Sequence, residues 1–188
     1  ETTQMAVPCF VGTRPYEQLP FQWSCHVEDK SGNLEHKEFL DLSGDAPMKA
    51  FIESLIKAVG TQGAIIVYSS YEKTILRKLA AFFPEHAEDI ERIIDRIVDL
   101  LPIMRNNYYH PAMKGSWSIK AVLPTIALDL NYSELEEIAD GSAASSAFLE
   151  AIHPSTTESR KVEIMDRLLQ YCAMDTLAMV RLVGFFRL

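Results

Sequence analysis

The chain has 188 residues, of which 48% are hydrophobic and 23% charged, with a formal net charge of −8. This composition is typical of one soluble globular domain and excludes a disordered tail, a collagen-like fibre and a disulfide scaffold. There is no run of about 18 apolar residues and no signal-peptide pattern at the start, so we expect no membrane partner and a cytoplasmic location.

The first half of the chain has the patterns of strands and one helix. Alternation of apolar and polar residues predicts a strand over 21–28 that returns through a turn as a second strand over 34–42. Apolar residues at helical spacing predict a helix over 46–59. The continuous apolar, β-branched run at 63–68 predicts a central strand buried on both faces.

From residue 71 onward the pattern is almost entirely helical. The predicted helices cover residues 71–83, 84–101, 116–126, 133–138, 142–152 and 156–186. A capping box formed by Ser155 and Glu158 is expected to start the last of them. Early strands, one buried strand and then helices indicate an α/β or α+β fold, in which helices pack on a sheet.

The charge balance limits how this chain could contact nucleic acid. It has 26 acidic residues against 18 Lys and Arg, whereas a protein that grips duplex backbone usually carries a surplus of bases. A nucleic-acid contact must therefore be local, metal-mediated or supplied by another domain. We expect such domains, because the chain opens at Glu1 without a methionine and so resembles a segment of a longer protein.

Glu72 is the first candidate for a site. It follows the predicted buried strand within the sequence Tyr68-Ser69-Ser70-Tyr71-Glu72, and ligands of open α/β sheets bind at the carboxyl ends of strands. The alternative is structural, since Ser69-x-x-Glu72 has the spacing of a capping box and a glutamate in a first helical turn is favoured by the helix dipole.

Tyr171 and Asp175 are the second candidate pair. Their spacing of four places both on one face of the last predicted helix, and the rest of that face is apolar. An aspartate on an apolar face is costly unless it is paired or binds a metal. The alternatives are a bond to nearby backbone or an ion pair with Arg181. Asp99 is a lesser candidate, because an aspartate before a helix end or turn is commonly structural.

The chemistry available to these residues is that of carboxylates. The chain has no phosphate-binding glycine loop, no G-x-S-x-G elbow and no convincing Cys/His pair. Two or three converging acids suit Mg²⁺ or Mn²⁺, and two such ions about 4 Å apart can clamp the attacking and leaving oxygens of a phosphodiester.

With these residues in view, the chain resembles an uncharacterised bacterial family of domains of unknown function related to the DEDDy-type 3′–5′ exonucleases of the RNase H-like superfamily. The stretches that carry the resemblance are 1–2, 14–24, 34–39, 66–73, 99–102, 115–124 and 171–180. The resemblance implies one RNase H-like exonuclease-type domain over 1–188. Its α/β fold would be a mixed sheet flanked by helices, with a truncated first strand.

The resemblance also implies a site. The superfamily has four acids in three motifs, with a Tyr or His in the last. Glu1 resembles the second acid of the first motif, and the first acid of that motif has no counterpart here. Glu72 stands where the second motif has Asp, and Tyr171-x-x-x-Asp175 matches the third. Glu1, Glu72 and Asp175 would then bind two Mg²⁺ or Mn²⁺ ions. Tyr171 would orient the attacking water, and Asp99 would be a secondary acid.

The implied activity is two-metal hydrolysis of phosphodiester bonds at single-stranded 3′ ends, weak or absent in this segment alone because one acid is missing. The segment that contains Tyr16, Phe21, Gln22 and Trp23 could bind that strand by stacking its bases on the aromatic rings, or could form a hydrophobic plug under the hairpin. The alternative function is a non-catalytic RNase H-like module that binds nucleic acid or packs against a partner domain.

Overall fold

The computed structural model describes residues 1–130, 138 and 140–187. In chain order the described strands and helices are β1 (Thr2–Thr3), β2 (Leu19–Pro20), β3 (Gln22–Glu28), β4 (Leu34–Leu40), α1 (Met48–Val59), β5 (Ile65–Val67), α2 (Tyr71–Phe82), α3 (Ala87–Asp95), β6 (Ile97–Asp99), α4 (Leu100–Asn107), α5 (Ile119–Ile126), α6 (Gly141–Ala151) and α7 (Glu158–Phe186). Short 3-10 turns lie at Pro84–His86 and Pro111–Met113.

The chain divides into two compact units that are each discontinuous in sequence. The first combines residues 1–58 with 133–173, and the second combines residues 59–132 with 174–188. Helix α7 contributes residues to both units. The short helix predicted over 133–138 lies outside the described residues except for Ile138. The single domain predicted over 1–188 stays a prediction.

The predicted hairpin is confirmed. Strands β3 and β4 pair antiparallel, with Gln22 opposite Leu40 and Glu28 opposite Leu34. The turn between them is held by Asp29, whose side chain accepts bonds from the backbone of Ser31 and Asn33. Period-two alternation is a local signal, which is why it located this hairpin correctly.

The prediction of one mixed sheet differs from the pairing that the structure shows. Across the described residues the strands form three two-stranded sheets, of which β1–β2 and β3–β4 are antiparallel and β5–β6 is parallel. The described chain is therefore a mixed α/β structure with small separate sheets. The RNase H-like arrangement of these strands stays a prediction.

The strand predicted over 63–68 is shorter and less buried than expected. Strand β5 has three residues, of which Ile65 and Ile66 are half-buried and only Val67 is buried. Its described partner is β6 alone. A continuous apolar run does not reveal how many neighbours a strand has, so the prediction of burial on both faces was wrong.

The single helix predicted over 84–101 was also wrong, because β6 interrupts it. Arg96 ends α3, and its carbonyl accepts a bond from Ile65 N at 2.9 Å, which starts the pairing with β5. The Arg96 guanidinium donates to four backbone carbonyls at distances between 2.5 and 2.9 Å, those of Val59, Gly60, Gln62 and Gly63. We call these contacts the Arg96 clasp. The four carbonyls are more than 30 residues from Arg96 in the sequence, so no local sequence pattern predicts the contacts.

Helix α7 begins differently from the prediction. Its first residue is Glu158, and Thr157 Oγ1 accepts the backbone N–H of Arg160 at 3.3 Å. Ser155 Oγ is instead hydrogen-bonded to His153 Nδ1 at 2.7 Å. The capping box expected from Ser155 is therefore replaced by a cap two residues later.

Among the described residues, helix α7 is long and apolar enough to cross a membrane, by length and composition only. It also supplies core side chains. Ile164 and Leu168 are 0–1% exposed in the first unit, and Ala178 and Leu182 are 0% exposed in the second. The absence of a membrane partner stays a prediction.

Two histidines face each other across the hairpin. His26 and His36 are directly opposed, and their ring centroids are 4.6 Å apart. His36 Nε2 is 2.8 Å from Ser24 Oγ and 3.9 Å from the Glu38 carboxylate. Burial lowers the pKa of His26, and the charge of His36 lowers it further.

This pair predicts a loss of stability in acid. A histidine whose folded pKa lies below its unfolded value binds a proton more readily after unfolding, so stability is intact above about pH 7 and falls as the pH drops through about 6.5. Urea-unfolding midpoints at pH 7.5 and 5.5 measure this loss. We expect a smaller difference in His26→Gln, and an unchanged difference would contradict the assignment.

Candidate active site

The carboxyl ends of β5 and β6 form one edge in the second unit. The strands are parallel, with Val67 opposite Asp99. Tyr68 and Ser69 continue the chain from β5, and Glu72 lies in the first turn of α2. Because parallel strands end at the same edge, this geometry brings the two acids Glu72 and Asp99 to one side of the unit.

Glu72 has an environment that disfavours its charge. Burial raises the pKa of the Glu72 carboxyl, the nearby Asp99 charge adds to that rise, and bonds from its own backbone N–H and from Ser69 Oγ at 3.4 Å oppose it. In the described part of the chain, no Lys or Arg side chain forms an ion pair with Glu72. A desolvated carboxylate of this kind gains from a cation.

Ser69 does not form the capping box that its spacing suggested. Its Oγ accepts the N–H of Tyr71 at 3.1 Å, and Ser70, the residue at the N-cap of α2, makes no side-chain capping bond. Ser69 therefore turns the chain out of β5 and contacts the Glu72 carboxyl. The structural role open to Glu72 is therefore a contact with the Ser69 hydroxyl at the turn into α2, and not a capping box.

Asp99 has a structural role at the start of a helix, which the sequence analysis gave as the common role of an aspartate at such a position. It is the N-cap of α4, and its Oδ1 accepts the N–H of Leu101 at 2.9 Å. This bond fixes the carboxylate at the end of β6. One carboxylate can cap a helix and still offer its second oxygen to a ligand.

Tyr68 is a neighbour to which the sequence analysis gave no role. Its phenol donates to the carbonyl of Trp117 at 2.8 Å. Burial raises the pKa of Tyr68 to about 12, against a lowering by Arg105 and with a further rise from Asp99. Tyr68 therefore stays protonated at neutral pH. Its position at the end of a predicted strand was the only signal in the sequence.

The remaining acid and the tyrosine of the third motif lie on α7. Asp175 is half-buried and belongs to the second unit, as Glu72 and Asp99 do. Tyr171 is 3% exposed and belongs to the first unit. Their spacing on one helix is as predicted, and the roles of metal ligand and water-orienting phenol stay predictions.

Glu1 lies in the first unit, where its backbone is well held. Its ammonium group donates to the Gln22 carbonyl at 2.6 Å, and its own carbonyl accepts from Phe21 N at 3.2 Å. Its carboxylate is beside the start of α6, because a Cβ on Gly141 would be 3.4 Å from Glu1 Oε2. The role of Glu1 as a metal ligand stays a prediction.

The carboxylate groups at the ends of β5 and β6 are of a chemical type that binds divalent ions. Carboxylate oxygens such as those of Glu72 and Asp99 are the ligands that Mg²⁺ and Mn²⁺ prefer. Their number falls short, since no group of three or more His, Cys, Asp or Glu among the described residues is arranged to hold a metal ion. The two-ion centre implied by the resemblance therefore stays a prediction.

The aromatic segment offered as a substrate contact is mostly packed inside the first unit. Phe21 is 0% exposed and stacks on Phe148 with ring centroids 4.2 Å apart. Gln22 is 1% exposed and donates to the carbonyl of Leu168, and Trp23 is 8% exposed. Side chains at this burial present no face to a base, so packing is the role that the structure shows.

Tyr16 differs from these three residues. It is 69% exposed, and its φ of 58° places it in the left-handed region, which a tyrosine rarely adopts. Its backbone N–H donates to the Met5 carbonyl at 2.8 Å, which holds the turn. The predicted substrate contact of Tyr16 stays a prediction.

These features define a mixed α/β protein with two acids at the edge of a parallel strand pair. Residues 1–118 match the family of domains of unknown function DUF2779, and the chain belongs to this family. The expected membership in a family of domains of unknown function is confirmed, and the relation of that family to the 3′–5′ exonucleases stays a prediction. The match includes Glu1, Glu72 and Asp99 and ends before Tyr171 and Asp175. No curated protein and no solved structure matches the chain.

Proposed function

We propose that this chain is a metal-dependent 3′–5′ exonuclease-like domain that hydrolyses phosphodiester bonds at single-stranded nucleic-acid 3′ ends. The observation that carries the proposal is the pair Glu72 and Asp99 at the carboxyl edge of β5 and β6, where burial raises the pKa of Glu72. Ligands of α/β proteins bind at such edges, and acids with perturbed pKa values cluster at functional sites.

Each residue at this edge has a defined task in the proposal. Glu72, contacted by Ser69, and Asp99, fixed by the N–H of Leu101, would hold a divalent ion through oxygen. Mg²⁺ or Mn²⁺, when bound, lowers the pKa of water and offsets the charge that develops on the phosphate. Tyr68 keeps its proton at neutral pH. Asp175, Glu1 and Tyr171 take their proposed roles from the resemblance.

Residue 72 gives a reason to expect weak activity. The exonucleases that the chain resembles have Asp at the position proposed for Glu72. Glutamate in place of aspartate at position 72 moves the carboxylate by roughly 1 Å, a displacement that can cost about 100-fold in rate. Other domains of a longer protein are proposed partners.

A non-catalytic nucleic-acid-binding module is the second candidate. It is favoured by the finding that no three acids are grouped for a metal in the described residues. It is also favoured by the Glu72 carboxyl, which accepts a bond from its own backbone N–H and one from Ser69. In this reading, the hydrogen bonds of the Glu72 carboxyl stabilise the turn into α2, and the carboxyl does not bind a metal ion.

Replacing Glu72 by Gln tests the proposal. With Mn²⁺ and 5′-labelled single-stranded DNA or RNA, we expect slow shortening from the 3′ end in the unchanged chain and a loss of at least about 100-fold in Glu72→Gln. Glu91→Gln is the matched control, because Glu91 is exposed on α3 in the same unit. Asp175→Asn tests the third motif in the same assay.

Calorimetric titration with Mn²⁺ provides a readout that does not need turnover. We expect Mn²⁺ binding that is at least tenfold weaker in both Glu72→Gln and Asp99→Asn, and unchanged in Glu91→Gln. A folded chain that neither binds Mn²⁺ nor shortens any strand, even when extended upstream by one strand, would reject the exonuclease and favour the module.

A further inference from the structure

Two stretches of the second unit differ in charge from the rest of the chain. Residues 100–128 and 176–187 contain no Asp or Glu, although the whole chain has 26 of them. The same stretches carry five basic residues, which are Arg105, Lys114, Lys120, Arg181 and Arg187. These two stretches therefore carry a positive balance within a chain of net charge −8, and Asp99, Asp129 and Asp175 directly flank them.

The structure brings these two stretches together. Leu182 of α7 is 0% exposed and lies in one core cluster with Met104, Met113 and Val122, so the end of α7 packs against the region of α4 and α5. On the outside of this cluster the rings of Tyr108 and Phe185 are in edge-to-face contact at 5.3 Å. The charge difference thus belongs to one continuous part of the unit.

Exposed and half-buried aromatic side chains lie along this part. We call the set Tyr108, Tyr109, Trp117, Phe185 and Phe186 the aromatic surface. Tyr109 is 62% exposed, Phe185 38% and Phe186 39%, and the rings of Tyr109 and Trp117 are 6.1 Å apart. Adjacent exposed aromatic rings are costly in water and commonly mark an interaction site.

The rings that are half-buried are also held in place. Trp117 Nε1 donates to the Tyr108 carbonyl at 3.0 Å, and the Trp117 carbonyl accepts the Tyr68 phenol at 2.8 Å. Tyr108 Oη and Thr125 Oγ1 are hydrogen-bonded at 2.9 Å. A ring that is fixed before binding loses little conformational entropy when a ligand stacks on it.

Two of the basic side chains are available within a few residues of these rings in the sequence. Arg105 and Lys114 are both exposed, and among the described residues neither forms an ion pair with a carboxylate. Arg181, by contrast, is paired with Asp129 at 2.6 Å. Rings that stack and cations that contact phosphate are the two elements by which proteins bind single strands without reading their sequence.

We propose that the aromatic surface binds a single strand of nucleic acid, with bases stacked on Tyr109 and Trp117 and phosphates contacting Arg105 and Lys114. The choice of a nucleic-acid strand rests on the proposed function, whereas the residues are separate from Glu72 and Asp99. A single strand fits better than a duplex, because only unpaired bases expose faces for stacking and the rest of the chain is acidic.

Fluorescence anisotropy with a fluorescein-labelled 20-nucleotide dT strand, in EDTA at low salt, tests this proposal. We expect Tyr109→Ala to weaken binding by about fivefold or more, the loss typical of one stacked base. Arg105→Glu with Lys114→Glu should weaken it further. Lys57→Glu with Arg77→Glu makes the same change in net charge at exposed positions elsewhere and should bind as the unchanged chain does.

The salt dependence gives a second and more specific readout. Each phosphate contact to a single strand contributes about 0.7 to the slope of log K against log salt concentration, so Arg105→Gln with Lys114→Gln should reduce the slope by about 1.4. Thermal unfolding of each variant shows whether it is folded. Tyr109 is 62% exposed, so its replacement should leave the fold intact.

The possible outcomes separate this proposal from the exonuclease proposal. Strand binding that depends on Tyr109, Arg105 and Lys114 supports the aromatic surface whether or not Mn²⁺ produces hydrolysis. Equal binding by the test variants and the charge-matched control would overturn it, even if the chain hydrolyses strands. Binding of a blunt dT·dA duplex as tightly as the single strand would also overturn it, because stacking on unpaired bases could not then be the cause.

Discussion

An alanine in place of Phe21 is expected to lower the free energy of unfolding by about 3–5 kcal/mol. Phe21 is 0% exposed and stacks on Phe148 at 4.2 Å, so its removal leaves a cavity and forfeits the ring contact. In a chain of this size the loss corresponds to a fall of roughly 10 °C in melting temperature. Thermal unfolding followed by circular dichroism measures it.

Val11→Ala is the control for this change, because Val11 is 98% exposed and should shift stability by less than about 0.5 kcal/mol. The result also decides between the two roles weighed for Phe21. A side chain that stacked bases would cost strand binding on removal and leave stability unchanged. That combination of results would contradict the packing role.

Removing the Arg96 clasp should have the next largest effect. We expect Arg96→Ala to lower the free energy of unfolding by about 2–4 kcal/mol, because four carbonyls lose a charged donor at once. The value is below the sum of four isolated bonds, since several of them are exposed to water. Chemical denaturation of the two proteins in parallel measures the difference.

Arg92→Ala is the matched control for the clasp. Arg92 lies one turn earlier on α3, and among the described residues its ion pairs are with Glu88 and Asp89 at the surface, so its loss should cost less than about 1 kcal/mol. Arg96→Lys should fall between the two, because an ammonium group cannot span carbonyls that a planar guanidinium reaches together. Equal losses at Arg92 and Arg96 would show that the clasp contributes nothing.

Local patterns located much of the fold but not its long-range pairing. The alternation in 21–28 and 34–42 contains the information that forms β3 and β4, because a hairpin pairs residues close in sequence. By contrast, Ile97 and Val98 continue the apolar spacing of the helix before them. They become a strand because β5 is present to pair with them, and because the side chain of the preceding Arg96 binds the carbonyl of Gly60.

The candidate site also has some features that local sequence predicts and others that depend on residues distant in the sequence. Glu72 could be located because it follows a strand directly, and that neighbourhood is readable in the sequence. The rise in the pKa of its carboxyl that the Asp99 charge causes depends on two residues 27 positions apart, which no spacing rule connects. The burial of Phe21 depends likewise on Phe148. The local positive balance near Arg105 was hidden by a whole-chain charge of −8.

The Arg96 clasp has a consequence for how sequences of this family vary. Every residue type has a backbone carbonyl, so the clasp places no demand on the side chains of residues 59–63 as partners. Gly60 and Gly63 are constrained for another reason, since their φ values of 53° and 85° favour glycine. Relatives that keep the loop at residues 59–63 should therefore retain an arginine at position 96 and the two glycines. The side chains at positions 61 and 62 should vary among them.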